Sequence, residues 1–336
     1  MRELLKKLCD IPAVSGREER LRDFIISQID GFAEYETDKN GNLICFKRGK
    51  KAAVKKVMLD AHMDEVGIIA SFITADGFIK FQTVGGIDTA ALLGKRVVFD
   101  SGARGVIGMK PVHLLSGDEK NTLPKADSLC VDIGASSKAD AEQLISVGDA
   151  AVFESVSTDM GENLLARAID DRAGVAVLIK LLRSEAEYDF YATFTALEEV
   201  GLRGAMTAAY SVSPDLAVIL EATTASDLYG VSEDKRVCRL GAGPAISFMD
   251  RSTLYNKQLF DFANSLPLKH QVKEYVSGGN NAGAVHLSKS GVPTITVSLP
   301  TRYIHSPSSV ANISDLEDMY KFSEKLISSL ASGQAL

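Results

Sequence analysis

The chain reads as an α/β protein in which a mixed sheet is covered by helices and interrupted by an inserted all-β domain. Three observations predict this. Helical stripes precede the first strands, short β-like runs punctuated by glycine fill residues 68–165, and strand-like and helix-like segments alternate from 166 onward. Both flanks of the insert share one architecture. The simplest organisation is therefore a discontinuous domain built from residues 1–67 and 166–336, with 68–165 as the insert.

Leu4, Leu5 and Leu8 give the first segment its helical stripe. Ser15 followed by Glu18 predicts a capping box opening a second helix that runs through Ile29. Leu43 to Phe46 and Val57 to Ala61 are short apolar runs bounded by Gly and Lys, and the second continues into His62-Met63-Asp64-Glu65. His62 is thus expected at a strand's carboxyl end. Inside the insert, IIASFIT, FIKFQTV, KRVVFDSGARGVIG and DAAVFES read as strands, with turns at Ala75-Asp76-Gly77 and Gly102. Beyond it, helices are predicted over 171–183, 202–210, 253–265, 281–289 and from Ser314, and strands over 189–197, 215–221, 244–248, 271–276 and 292–298.

Composition narrows the function. At 336 residues a sizeable core is available, and the formal charge of −7 leaves no basic excess to neutralise phosphates, so nucleic acid is not an expected partner. The longest apolar stretches, such as Val175 to Leu182 with Lys180 inside it, fall far short of the ~20 residues that span a bilayer, so no membrane role is expected. Cys9, Cys45, Cys130 and Cys238 form no Cys-x-x-Cys pair, and the first residues lack a signal peptide's apolar run, which points to a reducing cytoplasm. Neither Gly102-Ala103-Arg104-Gly105 nor Gly241-Ala242-Gly243-Pro244 makes a dinucleotide fingerprint.

In open α/β sheets, ligands gather beyond the carboxyl ends of the strands. Those ends carry His62 after VMLDA, Glu198 and Glu199 after FYATFTAL, Glu221 after LAVIL and His305 after TITVSLP, while Asp170 begins a helix. Singly, each has an ordinary reading: a structural histidine, a helix N-cap at Asp170, a solvated glutamate pair. Glu221 resists that reading, because a carboxylate ending so apolar a run is costly to bury without a cation or strong donors. Nitrogen and oxygen donors without a thiolate suit borderline divalent cations such as Zn²⁺, Co²⁺ or Mn²⁺. His62-x-Asp64 places Asp64 on the same side of an extended segment, where it can take the imidazole's other N–H.

These residues, with the segments LDAHMDEVGI, TVGGIDTAALLGKRV, AIDDRAGVAVL, ALEEVGLRGA, ILEATTASD and GGNNAGAVHLSKSGVPTITVSLPTRYIHSPSS, resemble the tetrahedral, or glutamyl and deblocking, aminopeptidases. The resemblance covers nearly the whole chain. It implies Asp170 bridging two metal ions, His62 and Glu221 completing one site, Glu199 and His305 the other, and Glu198 as general base. Asp64 would orient His62, the Asp170–Asp171 peptide would be cis, and the insert would be the assembly domain of a homo-oligomer, the family's twelve-subunit tetrahedron built from dimers. Peptides are the implied substrates. Gly278, Gly279, Asn280 and Asn281 are expected to shape the pocket wall, although GGNNAG departs from the more common Gly-Gly-Thr-Asp-Ala wording.

Two ions can lower the pKa of a bridging water toward roughly 7, and Glu198 would take its proton and return it to the departing amine. Glycoside hydrolysis is the rival reading, since paired carboxylates also cleave sugars. It is disfavoured because adjacent Glu198 and Glu199 cannot flank one glycosidic bond, and it leaves His62, Asp170 and His305 without a purpose. An inactive peptide-binding relative would lack a ligand or the base, and none is missing.

Overall fold

The computed structural model of the protein describes residues 1–334. Val57–His62, Phe190–Thr195, Leu216–Thr224 and Thr294–Arg302 are buried along almost their whole length, as expected of strands covered on both faces. They form the parallel centre of an 11-stranded sheet, in the order Phe190–Thr195, Val57–His62, Leu216–Thr224, Thr294–Arg302. Antiparallel strands extend both sides. Leu43–Lys47 and Glu34–Thr37 lie beyond Phe190–Thr195, while Ser309–Asn312, Asn163–Ala166 and Thr158–Met160 lie beyond Thr294–Arg302. Ala245–Ile246 also pairs with Thr294–Arg302, and Gln271–Val272 pairs with it in turn.

Helix Ile169–Arg183 is apolar nearly all round because it is packed between the sheet and the helices Arg2–Asp10, Glu19–Ile29 and Ile313–Ala331. The opposite face is covered by Arg203–Val212 and Ala282–Val285, packed on Ile44, Met58, Ala217 and Ile219. Each buried Leu, Ile or Phe in these layers contributes about 1.5–3 kcal/mol relative to exposure. That packing holds the four parallel strand ends side by side at one rim.

The insert closes on itself. Gly67–Ile73, Ile79–Val84, Cys130–Asp132, Arg104–Gly108, Arg96–Phe99 and Ala150–Phe153 form a barrel in that order, sealed by the pairing of Ile68 with Ala151. Alternate residues, among them Ile68, Ile79, Phe81, Val97, Phe99, Ile107 and Val131, point inward and make a core separate from that of the sheet. Closure leaves no free edges. The glycine turns occur where expected: Gly77 (φ 84) donates to Thr74 O and Gly102 (φ 88) to Phe99 O.

The insert is the expected β domain, with the short helices Gly117–Lys120 and Lys138–Glu142 in its connections. Several expectations are corrected. The barrel's strands end at Phe153, and Thr158–Met160 and Asn163–Ala166, inside the expected 68–165 span, belong to the large sheet. Ser15 does not cap the second helix: its hydroxyl donates to Asp64 at 2.6 Å, while Glu18 accepts from the Gly16 and Leu197 N–H groups. The helix expected over 281–289 is only Ala282–Val285, and the strand expected over 271–276 is only Gln271–Val272. Glu34–Thr37 and Ser309–Asn312 were not foreseen. The first is exposed at every residue and has no apolar alternation to reveal it. Among the described residues no helix is long and apolar enough to cross a membrane.

Candidate metal centre

Strand register assembles the site. Thr195 pairs with His62 and Ile219 with Asp60, so Glu221, two residues on, comes level with His62 on the same face. The chain leaving Thr195 carries Glu198 and Glu199 to the same rim. His305 follows Thr294–Arg302 in a loop where Tyr303 and His305 both have φ 59. Asp170 enters from the start of helix Ile169–Arg183, after left-handed Ala168 (φ 53), and the Asp170–Asp171 peptide is cis.

Asp170 stands between two imidazole–carboxylate pairs. Its Oδ1 lies 3.1 Å from His62 Nε2, which is 3.5 Å from Glu221 Oε1. Its Oδ2 lies 3.3 Å from His305 Nε2, itself 3.3 Å from Glu199 Oε1. Five side chains from distant parts of the sequence thus converge in two groups that share one carboxylate. Glu198 adjoins them, and burial together with Glu199, Asp170 and Asp64 pushes its carboxyl up to about 8 against the opposing pull of His62.

The other groups answer to the same crowding. Burial, with Asp170 and Asp171, holds the Glu221 carboxyl well above its usual range, and burial does the same for Asp171. Burial opposes the charged form of both histidines, yet the surrounding acids win: Glu221, Asp170 and Asp64 hold His62 well above its ordinary value, and Asp170 and Glu199 hold His305 up at about 11. Asp170 is held below the carboxylate range by hydrogen bonds from His305 and His62 that outweigh its burial.

This donor set fits divalent cations. The ligand atoms of His62, Asp170 and Glu199 lie within 4.8 Å of one another, as do those of Asp170, Asp171 and Glu221. Asp171 Oδ2 is buried with no hydrogen-bond partner, although its Oδ1 accepts from Gly174 N–H at 2.9 Å. So many carboxylates in one buried cluster are costly unless cations neutralise them, and nitrogen with oxygen donors matches borderline metals.

Asp64 differs in detail from expectation. His62 Nδ1 lies closest to the Asp64 main-chain carbonyl, at 3.0 Å, with the carboxylate Oδ1 at 3.6 Å. The carboxylate accepts from Ser15 Oγ and from the Glu198 and Glu199 N–H groups at 2.9 and 3.1 Å, and so fixes the segment that presents both glutamates. The pocket-wall expectation is corrected for the asparagines, whose side chains turn inward. Asn280 donates to Asp250 and Tyr255, and Asn281 donates to Asp60 at 2.7 Å and Thr195 at 2.9 Å. Gly278 and Gly279 are exposed.

Sequence reasoning missed the brace behind the site. Arg172, fully buried, donates to the main-chain carbonyls of Leu8, Ile11 and Met63 and to Glu65, which also accepts from Arg167 and from Ala13 N–H. It ties the start of helix Ile169–Arg183, which carries Asp170, to the strand end that carries His62. A signal was present, since an arginine opening so apolar a helix has to find internal acceptors. From the sequence, Asp171 is named for its cis peptide with Asp170 and given no part in the ligand cluster.

A mixed α/β sheet with a shared-carboxylate cluster at its parallel strand ends, and a barrel inserted beside that rim, is a fold this protein shares with solved peptidases. A sequence model of the M42 glutamyl aminopeptidase family matches residues 41–322, and the chain belongs to that family. It is an aminopeptidase, a hydrolase acting at the amino ends of peptides. The glutamyl aminopeptidase of Lactococcus lactis is 32% identical, over 97% of this chain and 95% of its own length. Among solved structures, an aminopeptidase from the archaeon Desulfurococcus kamchatkensis superposes with a TM-score of 0.92 at 36% identity, covering 97% of this chain and 94% of that one. A TET peptidase of Pyrococcus horikoshii, described as assembling into a tetrahedron or a large octahedral shell, gives a TM-score of 0.84 at 34% identity and covers 98% of each chain.

Proposed function

We propose that the protein is a two-metal aminopeptidase in which Asp170 bridges the ions, His62 and Glu221 complete one site, and Glu199 and His305 complete the other. The observation that carries this reading is the division of the Asp170 carboxylate: Oδ1 faces one imidazole and Oδ2 the other. Zn²⁺, Co²⁺ and Mn²⁺ all suit the donors. When bound, such ions supply Lewis acidity that acidifies a water and polarises the peptide carbonyl.

The chain's own residues do the rest. Glu198, beside both pairs yet in neither, takes the proton of the attacking water and returns it to the departing amine. Burial among acids raises its pKa, and bound cations would bring it back toward a base at neutral pH. The Asp64 carboxylate holds the Glu198 and Glu199 main chain, and its carbonyl fixes the ring of His62. Gly278 and Gly279 offer exposed backbone at the pocket wall.

The barrel, Gly67 to Phe153 within the insert expected over 68–165, is the proposed homo-oligomer module, by analogy with the assembling archaeal peptidase. The tetrahedral dodecamer is the expected closed form, with active sites facing a chamber. Four free cysteines suit a reducing cytoplasm; burial pushes the Cys9 thiol up to about 12, keeping it protonated.

A panel of aminoacyl p-nitroanilides tests the activity. Chelation should abolish hydrolysis and added divalent metal should restore it, with two ions per subunit by elemental analysis. Full peptidase activity after verified metal removal overturns the reading, and glucan hydrolysis that survives chelation would favour a glycosidase. Analytical ultracentrifugation showing only monomer would overturn the assembly role.

A further inference from the structure

The two halves of the cluster are not built from the same parts. His62 is oriented from within its own strand end, through the Asp64 carbonyl. His305 is oriented from the barrel: its Nδ1 lies 2.7 Å from the main-chain carbonyl of Gly86, in the turn that follows strand Ile79–Val84. A ring nitrogen that donates there leaves Nε2 free to face Asp170 and Glu199.

The residue before it packs on the other member of the pair. Gly85 adopts φ +79, and a Cβ at this position would lie 2.8 Å from Val66 Cγ1, 3.2 Å from Glu199 Cβ and 3.4 Å from Glu199 Oε2. At Gly86 an added Cβ would come no nearer to His305 than 3.7 Å, an ordinary contact. Just beyond the turn, Asp88 caps the short 3-10 helix Thr89–Ala91, its carboxylate accepting from Ala90 N–H at 2.9 Å. Just past the barrel's last strand, Ser155 donates to the Pro307 carbonyl at 2.7 Å and holds the loop that carries His305.

We propose that the Gly85–Gly86 turn of the barrel is a positioning element for the Glu199–His305 half of the metal centre, with the Gly86 carbonyl setting the ring of His305 and the bare Cα of Gly85 leaving room for Glu199. Occupancy of that half-site then depends on the barrel, whereas the His62–Glu221 half does not. The inference rests on the two-ion reading above.

The test compares Gly85→Ala and Gly102→Ala in the full chain, by metal titration calorimetry with Zn²⁺ or Co²⁺, elemental analysis after dialysis, and melting. Gly102 has φ +88 in the same barrel with nothing within 4 Å, so its alanine variant carries the backbone strain without the contact. Wild type and Gly102→Ala should each hold two ions. Gly85→Ala should keep one ion at wild-type affinity and bind the second about 10–100-fold more weakly, the size expected when a group supporting a ligand is disturbed. Should Gly85→Ala fail to fold, the Gly85→Ala/Val66→Ala double variant removes the Val66 contact and leaves that on Glu199, with the same expected loss. Two ions at wild-type affinity in the variant, or an equal loss in Gly102→Ala, overturns the proposal. A wild-type protein holding fewer than two ions overturns the parent reading as well, which distinguishes the two failures.

Discussion

His62 and His305 face the two oxygens of one carboxylate, but the first is 2% exposed and the second 33%. His62 and Glu221 lie on paired parallel strands in the middle of the sheet, braced from behind by Arg172 and Glu65. Glu199 and His305 lie on segments leaving the strands, and the barrel supplies their outer wall. One half of the centre thus belongs to the folded core and shares its stability, whereas the other depends on how loops and an inserted module meet it. Local openings draw on the parts of a protein with fewer buried contacts, so the two halves should separate under perturbation.

Removal of metal gives the largest expected effect and the most direct way to break this comparison. Activity should be lost completely, and graded chelation should take one ion per subunit first, from the His305 side, with the second leaving only at higher chelator. Simultaneous loss of both ions by elemental analysis would show that the halves do not differ. The adjacent glutamates come next. Glu198→Gln should lower turnover by about 10²–10⁴-fold with both ions retained. Glu199→Gln should instead release the ion on the His305 side, with excess metal partly restoring the rate. If the position 198 variant loses metal and the position 199 variant keeps it, the assigned roles are reversed.

The braces offer a smaller, thermodynamic contrast. Glu65→Ala leaves Arg167 and Arg172 buried without their shared acid, and breaking a buried pair costs about 3–5 kcal/mol, so denaturant melting should fall sharply. Ser155→Ala removes a single hydrogen bond from the His305 loop and should cost about 1 kcal/mol, with global unfolding scarcely moved. Equal losses of stability in the two variants would place the outer loop in the same cooperative unit as the sheet.

Much of the site was legible along the chain because strand ends are local. A run such as LAVIL stopping at Glu221, or VMLDA stopping at His62, marks where a buried strand reaches the rim. The alternation of strands and helices, the glycine turns of the barrel and the candidate ligands all followed from periodicity and from the cost of burying charge. What the sequence determined by itself was therefore the element types, the rim on which function gathers and the chemistry of the donors there.

Pairing across long separations was decided only in three dimensions. Nothing near Gly86 indicates that its carbonyl meets His305, 219 residues away, and Ser15 fits a capping box locally while its hydroxyl is taken by Asp64. Asn280 and Asn281 sit in a glycine-rich turn that reads as pocket wall, yet Asp250 and Asp60 draw their amides inward. Thr158–Met160 and Asn163–Ala166 carry the texture of the insert but find their partners in the large sheet. The physical reason is the same in each case: a donor, an acceptor or a strand edge has several local partners of similar worth, and the choice among them is made by whichever group the rest of the fold brings within about 3 Å, the range in which a hydrogen bond has its strength.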